Sequence, residues 1–406
     1  MPVHPPASLR RLIAPQGRSI LKTAVPVLIA AALLFSFISI SCAQIFWGLA
    51  GLAWLAGLVR KEWRWRVPGF FWPLPVYAAL SLVAAALSVN PKLSFLNCKN
   101  LLLFLVIPLV ATGLTAVEDV GLAARAVLVS AVAGSVYSLG YAFFKAAPEQ
   151  RISGFAGHYM TQGGLLFLFG GLALSLIFFG KGRERILWAG AFALSAGALV
   201  LTYTRCAWVG LGAALIFLLA LWKPQALVAL PVLVALAYVA SPPSIRHRAL
   251  SIFNPAAFSN HLRIEYLRAG VKIIRNHPLH GTGPDTVDLV FQDAKYGLSE
   301  AAKKNVHLHN NLAQIAAERG LPTLVVWLAF MVWMFVACLR LLKDKASPLY
   351  VYAMAAAALI PAFFLAGLFE YNFGDSEVLT LFLALVTLPF AGRCPRPSSQ
   401  LEKTVR

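Results

Sequence analysis

Long apolar runs, each close to the length of a membrane-crossing helix, constrain this chain more than any other feature. A helix needs about 20 mostly apolar residues to cross roughly 30 Å of hydrocarbon. About twelve such helices are predicted, at residues 23–41, 42–59, 70–89, 100–114, 122–144, 160–179, 187–204, 206–222, 224–240, 321–341, 348–369 and 377–392. Composition agrees, because only 13% of the 406 residues are charged, against about 25% in soluble domains. We therefore predict an all-α integral membrane protein.

The basic residues indicate how the chain is threaded through the bilayer. The net charge is +19, but Lys and Arg flank the apolar runs and form no compact basic domain, which argues against nucleic-acid binding. With the N-terminus inside, cytoplasmic segments hold 20 of the 35 Lys and Arg residues and short outer loops hold five. Both termini are therefore predicted to be cytoplasmic, with Met1–Lys22 leading into the first helix without cleavage.

This threading divides the chain into four parts. They are nine helices with short loops (1–240), a long external loop (241–320), three further helices (321–392) and a cytoplasmic tail (393–406). The long loop has helix-like stretches at Leu262–Arg275, Ser299–Lys304 and Asn310–Arg319, separated by Pro and Gly breakers, so we expect an ordered cap. The five cysteines (Cys42, Cys98, Cys206, Cys338 and Cys394) are scattered and predict neither a disulfide framework nor a zinc site.

Arg205 is the most unusual polar residue, because it lies between two apolar runs with almost no loop to separate them. A guanidinium at a membrane boundary costs a few kcal/mol unless it reaches water or finds a partner. The group could snorkel into lipid headgroups, or it could form an anion site, since the planar fork of Arg binds phosphate through two parallel hydrogen bonds.

The external segments contain the other candidate groups. The stretch 261–275 reads as an amphipathic helix with Leu262, Tyr266, Ala269 and Ile273 on one face, which could lie on anionic headgroups. His307 and His309 form an HxH pair, but residues two apart share no helical face and no carboxylate stands beside them, so metal binding is not expected. The acidic cluster Glu370, Asp375 and Glu377 could be a solvated loop.

Three stretches resemble the bacterial O-antigen ligase family, whose membrane domain is shared with O-antigen polymerases. They are TRCAWVGL at Thr204–Leu211, Arg263 followed by NHPLHGTGP at Asn276–Pro284, and HNNL at His309–Leu312 leading to ERGL at Glu318–Leu321. Their order, their spacing and the long loop after about nine helices match the family.

The resemblance implies a GT-C-like membrane glycosyltransferase. Such an enzyme moves a glycan from undecaprenyl pyrophosphate to a sugar hydroxyl of lipid A–core, with inversion, at the periplasmic face of the inner membrane, and needs neither metal, ATP nor another cofactor. By position, Arg205 and Arg263 would hold the pyrophosphate and His309 would act on the acceptor, with Arg151, Asn310 and Asp375 in supporting roles. The chemistry agrees, because arginines would offset leaving-group charge and a histidine could accept the acceptor's proton.

Three other functions remain open at this point. An O-antigen polymerase or a protein O-oligosaccharyltransferase would use the same arginine and histidine chemistry. A lipid-linked glycan transporter or flippase is the non-enzymatic alternative, although transporters usually carry mid-membrane ionisable residues or repeated halves with broken helices, and neither pattern is evident.

The expected independence from metal gives the first testable prediction. Glycan transfer by the purified protein should persist in EDTA, because arginines in place of a cation would stabilise the leaving pyrophosphate. Complete loss in EDTA that Mg²⁺ or Mn²⁺ restores would contradict this and would instead recruit Glu370, Asp375 and Glu377 as ligands.

Overall fold

A computed structural model of the protein describes residues 20–145 and 150–392, and every regular element in these ranges is helical. The predictions for residues 1–19 of the N-terminal lead, for Cys394 and for the C-terminal tail concern residues outside these ranges. In chain order the α-helices are α1 (Ile20–Leu34), α2 (Ile40–Val59), α3 (Pro73–Ala86), α4 (Pro91–Asn97), α5 (Val106–Gly113), α6 (Val117–Phe144), α7 (Tyr159–Phe179), α8 (Glu184–Leu201), α9 (Arg205–Trp222), α10 (Ala226–Ala240), α11 (Pro243–Leu250), α12 (Phe258–Asn276), α13 (Val287–Phe291), α14 (Asn311–Leu341), α15 (Tyr350–Ala366) and α16 (Ser376–Thr387). Short 3₁₀ segments lie at Gly69–Phe71, Cys98–Leu105, Gly154–Ala156, Ala294–Tyr296, Ala302–Lys304 and Leu388–Phe390.

Eight helical segments in the described ranges are long and apolar enough to cross a membrane. They are α2, α3 with the 3₁₀ turn before it, the continuous stretch from α4 to α5, and α6, α7, α8, α9 and α14. Four more apolar helices, α1, α10, α15 and α16, are shorter. The prediction of an all-α membrane protein is therefore confirmed, whereas a total of about twelve membrane-crossing helices remains a prediction.

The helices differ sharply in burial, as expected for a bundle in lipid. In the central helix α7, 83% of the residues in an apolar 18-residue stretch are buried, and the helix packs against α8, α9 and α15. At the periphery, α10 has no buried residue, and Val228 and Val239 are 80% and 70% exposed. Apolar surface of this extent is unfavourable in water but costs little against lipid chains.

The loop between α10 and α14 folds into a cap with its own hydrophobic core. Tyr266, Ala269 and Ile273 of α12 are buried in that core together with residues from the first half of α14. The amphipathic pattern of this helix was thus predicted correctly, but its apolar face lies against protein and not on lipid headgroups. The predicted helix Ser299–Lys304 is wrong in extent, because the Glu265 carboxylate accepts hydrogen bonds from both the amide and the hydroxyl of Ser299, which leaves only a 3₁₀ turn at Ala302–Lys304.

A break in α14 fixes the cap to the membrane helices. Gly320 has a φ of +82° and a ψ of 166°, and the proline at position 322 has no amide hydrogen, so two intrahelical hydrogen bonds are lost. The freed carbonyls of Ala317 and Glu318 accept hydrogen bonds from the amides of Thr282 and Gly283 in the cap, at 2.9 Å each. The GTGP and ERG motifs therefore form one backbone junction between the cap and α14.

Gly320→Ala should lower the unfolding temperature of the detergent-solubilised protein by roughly 5 °C or more, because this backbone conformation is nearly exclusive to glycine. A Cβ at this position would also lie 2.1 Å from the carbonyl oxygen of Leu279. Gly212→Ala is the matched control, since a Cβ there meets nothing within 4 Å. Equal unfolding temperatures for the two variants would show that the junction does not need glycine.

Candidate active site

The site begins at the tight turn between α8 and α9. Tyr203 has a φ of +51°, a left-handed conformation that typically costs a non-glycine residue 1–2 kcal/mol, and this allows α9 to start at Arg205. The carbonyl groups at the C-terminal end of α8 lack helical partners. Arg151 donates from Nε to the Thr202 carbonyl at 3.0 Å, and Arg248 of α11 donates from Nε to the Tyr203 carbonyl at 3.1 Å. The turn therefore gathers three guanidinium groups.

Arg205 is only 6% exposed and does not snorkel towards headgroups. Its Nη1 donates to the carbonyl and the hydroxyl of Ser251, and its Nη2 donates to the Ser259 hydroxyl and the Asn260 side-chain oxygen, all within 3.0 Å. These acceptors are uncharged, with Ser251 directly after α11 and Ser259 and Asn260 in the first turn of α12. Arg205 therefore anchors the cap and keeps its positive charge uncompensated.

Two adjoining cavities share Arg205, Cys206, Arg263 and His309. The larger, of about 440 Å³, is the apolar cavity, whose remaining walls are mostly hydrophobic: Val209, Ile252, Phe253, Pro255, Ile264, Leu267, Leu308, Leu368 and Phe369. The smaller, of about 140 Å³, is the polar chamber, which adds Arg151, Tyr159, Thr204, Arg248, Ser259, Tyr266 and Asn305. The shared wall thus places guanidinium groups and an imidazole between an apolar space and a polar one.

His309 is held by a carboxylate from the loop that follows α15. Its Nδ1 lies 2.9 Å from Oε2 of Glu370, and the two side chains are 14% and 8% exposed. His309 also has a left-handed backbone, with a φ of +51°, immediately before the Asn310 cap of α14. Two of the four non-glycine residues with positive φ in the described ranges, Tyr203 and His309, therefore lie at this site, as is common for functional positions.

His307, His309 and Glu370 offer three ligand atoms within 4.8 Å of one another, so the expectation that no carboxylate accompanies the histidine pair was wrong. The partners of the other ring nitrogens favour one tautomer for each histidine. Nδ1 of His307 accepts from the His309 amide, and Nε2 of His309 accepts from the Asn305 side-chain amide. Both rings therefore turn N–H groups towards Glu370, whereas a metal ion needs lone pairs there. The hydrogen bonds therefore favour a Glu370 carboxylate held by the histidines over a metal centre.

The charge of this cluster follows from its contacts. Burial alone would raise the pKa of Glu370, but the hydrogen bond from His309 and the neighbouring His309 and His307 rings lower it to about 2. Burial lowers the pKa of His307 to about 4, an effect that the charge of Glu370 only partly offsets. Near neutral pH the cluster therefore holds an ionised carboxylate beside a neutral His307.

The predicted site residues separate into two groups. Arg205, Arg263, His309 and Asn310 line the apolar cavity, and Arg151 joins three of them in the polar chamber. Asn310 also caps α14 and donates to the Leu368 carbonyl at 2.9 Å. Asp375 lines neither cavity, because its carboxylate caps α16 and accepts a 2.6 Å hydrogen bond from Thr161.

Three residues at the site escaped prediction from sequence. Arg248 has no recognisable motif around it and becomes conspicuous only when α11 packs beside the α8–α9 turn. Glu370 was considered only as part of an acidic loop, and His307 only as half of a metal pair. Glu370 lies 61 residues after His309 in the chain, so the sequence contains no local signal that the two side chains form a pair.

A helical membrane protein with a basic, capped cavity beside a carboxylate-bound histidine is suited to a lipid-linked anionic ligand. Residues 190–328, about a third of the chain, match the family model described as O-antigen ligase. The matched segment includes Arg205, Arg248, Arg263 and His309. A comparison with curated proteins found no match. This match confirms the resemblance in the three sequence stretches and supports an O-antigen ligase- or polymerase-like function.

The protein should lose stability in acid in two steps. Unfolded chains protonate His307 near its ordinary pKa of 6.5, whereas the folded protein does so near 4, so the unfolding temperature should fall between these pH values. The depressed pKa of Glu370 adds stability that is complete above about 4.5 and is lost as the pH falls towards 2. Differential scanning fluorimetry in detergent should show both steps, and His307→Asn should flatten only the upper one. An unchanged slope in that variant would contradict the assignment.

Proposed function

We propose that the protein is an O-antigen ligase that transfers a glycan from undecaprenyl pyrophosphate to a sugar hydroxyl of lipid A–core. The observation that carries this proposal is the position of the His309–Glu370 pair, whose imidazole borders the same chamber as four arginine side chains. A base and an uncompensated cationic cluster are what a glycosyl transfer from a diphosphate donor requires.

His309 would act as the general base. Its Nδ1–H is directed at Glu370, so its Nε2 presents a lone pair, which in this structure accepts from Asn305. In the reaction the acceptor hydroxyl would take the place of the Asn305 amide, attack the anomeric carbon and transfer its proton to Nε2. The C–O bond to the diphosphate would break on the opposite face of the sugar, giving inversion. Glu370 would stabilise the imidazolium that forms, as carboxylates do beside catalytic histidines.

The arginines would stabilise the departing diphosphate. As the glycosidic bond breaks, negative charge accumulates on the phosphate oxygens, and preorganised guanidinium groups stabilise that charge without reorganisation. Since guanidinium groups are fixed in place by the α8–α9 turn and the cap, they could serve where other enzymes use a divalent cation.

The apolar cavity supports a polyprenyl donor in particular. Its hydrophobic walls, formed by α9, α12 and the loop after α15, meet Arg205 and Arg263 at one side. A lipid diphosphate has the same division, with an apolar chain joined to an anionic head. In this proposal the site faces the periplasm, the fold is of the GT-C type and both termini lie in the cytoplasm.

An O-antigen polymerase would use the same site with a second polyprenyl-linked chain as acceptor. Lipopolysaccharide banding in a deletion strain separates the two functions. Loss of a ligase leaves bare lipid A–core, whereas loss of a polymerase leaves single repeat units attached. Banding of the second kind would replace the ligase proposal with the polymerase one.

His309→Ala should reduce glycan transfer by a factor of roughly 10²–10⁴, the usual contribution of a positioned general base. Transfer should be measured with purified protein and both lipid substrates, without nucleotide. His261→Ala is the control, because His261 is an exposed cap residue outside both cavities. Retention of more than about a tenth of wild-type activity in His309→Ala would remove its role as base.

A further inference from the structure

The four arginines around the polar chamber are not equivalent. Arg205 uses both terminal nitrogens on neutral acceptors of the cap. Arg151 donates from Nε and Nη2 to the α8–α9 turn, and its guanidinium lies 3.4 Å from the centre of the Tyr159 ring. Both groups are already committed to holding the protein together, so neither can offer a full two-pronged hydrogen bond to a phosphate without breaking these contacts.

Arg248 and Arg263 have the opposite pattern. Each donates only from Nε, to the Tyr203 carbonyl at 3.1 Å and to the Phe369 carbonyl at 3.2 Å respectively. Within residues 20–145 and 150–392, neither side chain has a hydrogen-bond partner for its terminal nitrogens. Both line the polar chamber together with His309. They approach it from different cap helices, α11 and α12. The two terminal nitrogens of each side chain are therefore available to donate hydrogen bonds to one ligand.

The charge around the chamber is also unbalanced. No carboxylate in the described part of the chain lies within 4.0 Å of a guanidinium nitrogen of these four arginines. Burial and the charge of Arg263 lower the pKa of Arg248, and burial together with Arg248 and Arg263 lowers that of Arg151 to about 10. Mutual repulsion of this kind is relieved when an anion enters.

We propose that Arg248 and Arg263 form the subsite that grips the diphosphate of the lipid-linked donor, while Arg205 and Arg151 position these two side chains. The inference rests on the proposed function and deepens it, since it transfers phosphate contact from Arg205 to Arg248. Arg248 becomes a substrate-binding residue that the sequence motifs did not indicate. The anchored pair contributes charge and keeps the α8–α9 turn and the cap together.

Binding of inorganic pyrophosphate tests this assignment without any turnover. Isothermal titration of the full-length, detergent-solubilised protein should show one pyrophosphate site, and Arg248→Gln and Arg263→Gln should each weaken it by roughly tenfold or more. Arg248→Lys should recover part of the loss, since it restores the charge but not the fork. Arg275→Gln is the control, because Arg275 is an exposed arginine of α12 outside both cavities and should bind like wild type.

Wild-type affinity in Arg248→Gln, with an unchanged unfolding temperature, would overturn the inference, and so would the absence of pyrophosphate binding to the wild-type protein. A second titration in micelles containing phosphatidylglycerol distinguishes the source of the phosphate. Pyrophosphate binding that is as strong in these micelles as without the lipid supports a diphosphate site. If the lipid phosphodiester displaces pyrophosphate from the site, the inference is overturned.

Failure of the proposed function would look different. Pyrophosphate binding that depends on Arg248, in a protein that transfers no glycan between the two lipid substrates, would support the subsite and reject the ligase. Normal glycan transfer and normal pyrophosphate binding in Arg248→Gln would reject the subsite alone.

Discussion

The backbone junction between the cap and α14 is the constraint on which the site depends. Two carbonyls that a continuous helix would satisfy internally are freed at Gly320 and the following proline, and cap amides take them over. The same helix carries Asn310 at its N-terminal cap and His309 immediately before it. Fixing α14 to the cap therefore fixes the histidine relative to α12, and with it the distance between the imidazole and the arginines.

The second feature that organises the site is an imbalance of charge. Glu370 is fully engaged by His309 and by the backbone amide of Tyr371, so it contributes little to neutralising the arginines. The hydrogen bonds that the arginines make go instead to carbonyl, hydroxyl and amide oxygens, which stabilise a guanidinium without cancelling its charge. The chamber consequently remains attractive to an anion.

Sequence reasoning succeeded where the signal was local. The apolar runs gave the positions of the helices, and the period of α12 identified its buried face, because hydrophobic burial is encoded residue by residue. Arg205, Arg263 and His309 were recognised by family motifs and do share a cavity. Asp375 was placed with them by position alone, but its carboxylate is used to cap α16. Ser299–Lys304 was predicted as a helix, since the Glu265 hydrogen bonds that limit it come from a different part of the chain.

By itself, the sequence determined that this is a helical membrane protein with a polar segment at residues 241–320, which contains six of the eight histidines. These properties depend on composition and short-range order. Only the tertiary structure decided which groups act together. The Glu370–His309 pair spans 61 residues, and Arg248 meets the carbonyl of Tyr203 across 45. Such contacts arise from helix packing and from the need to satisfy buried polar groups, and neither leaves a periodic trace in the chain.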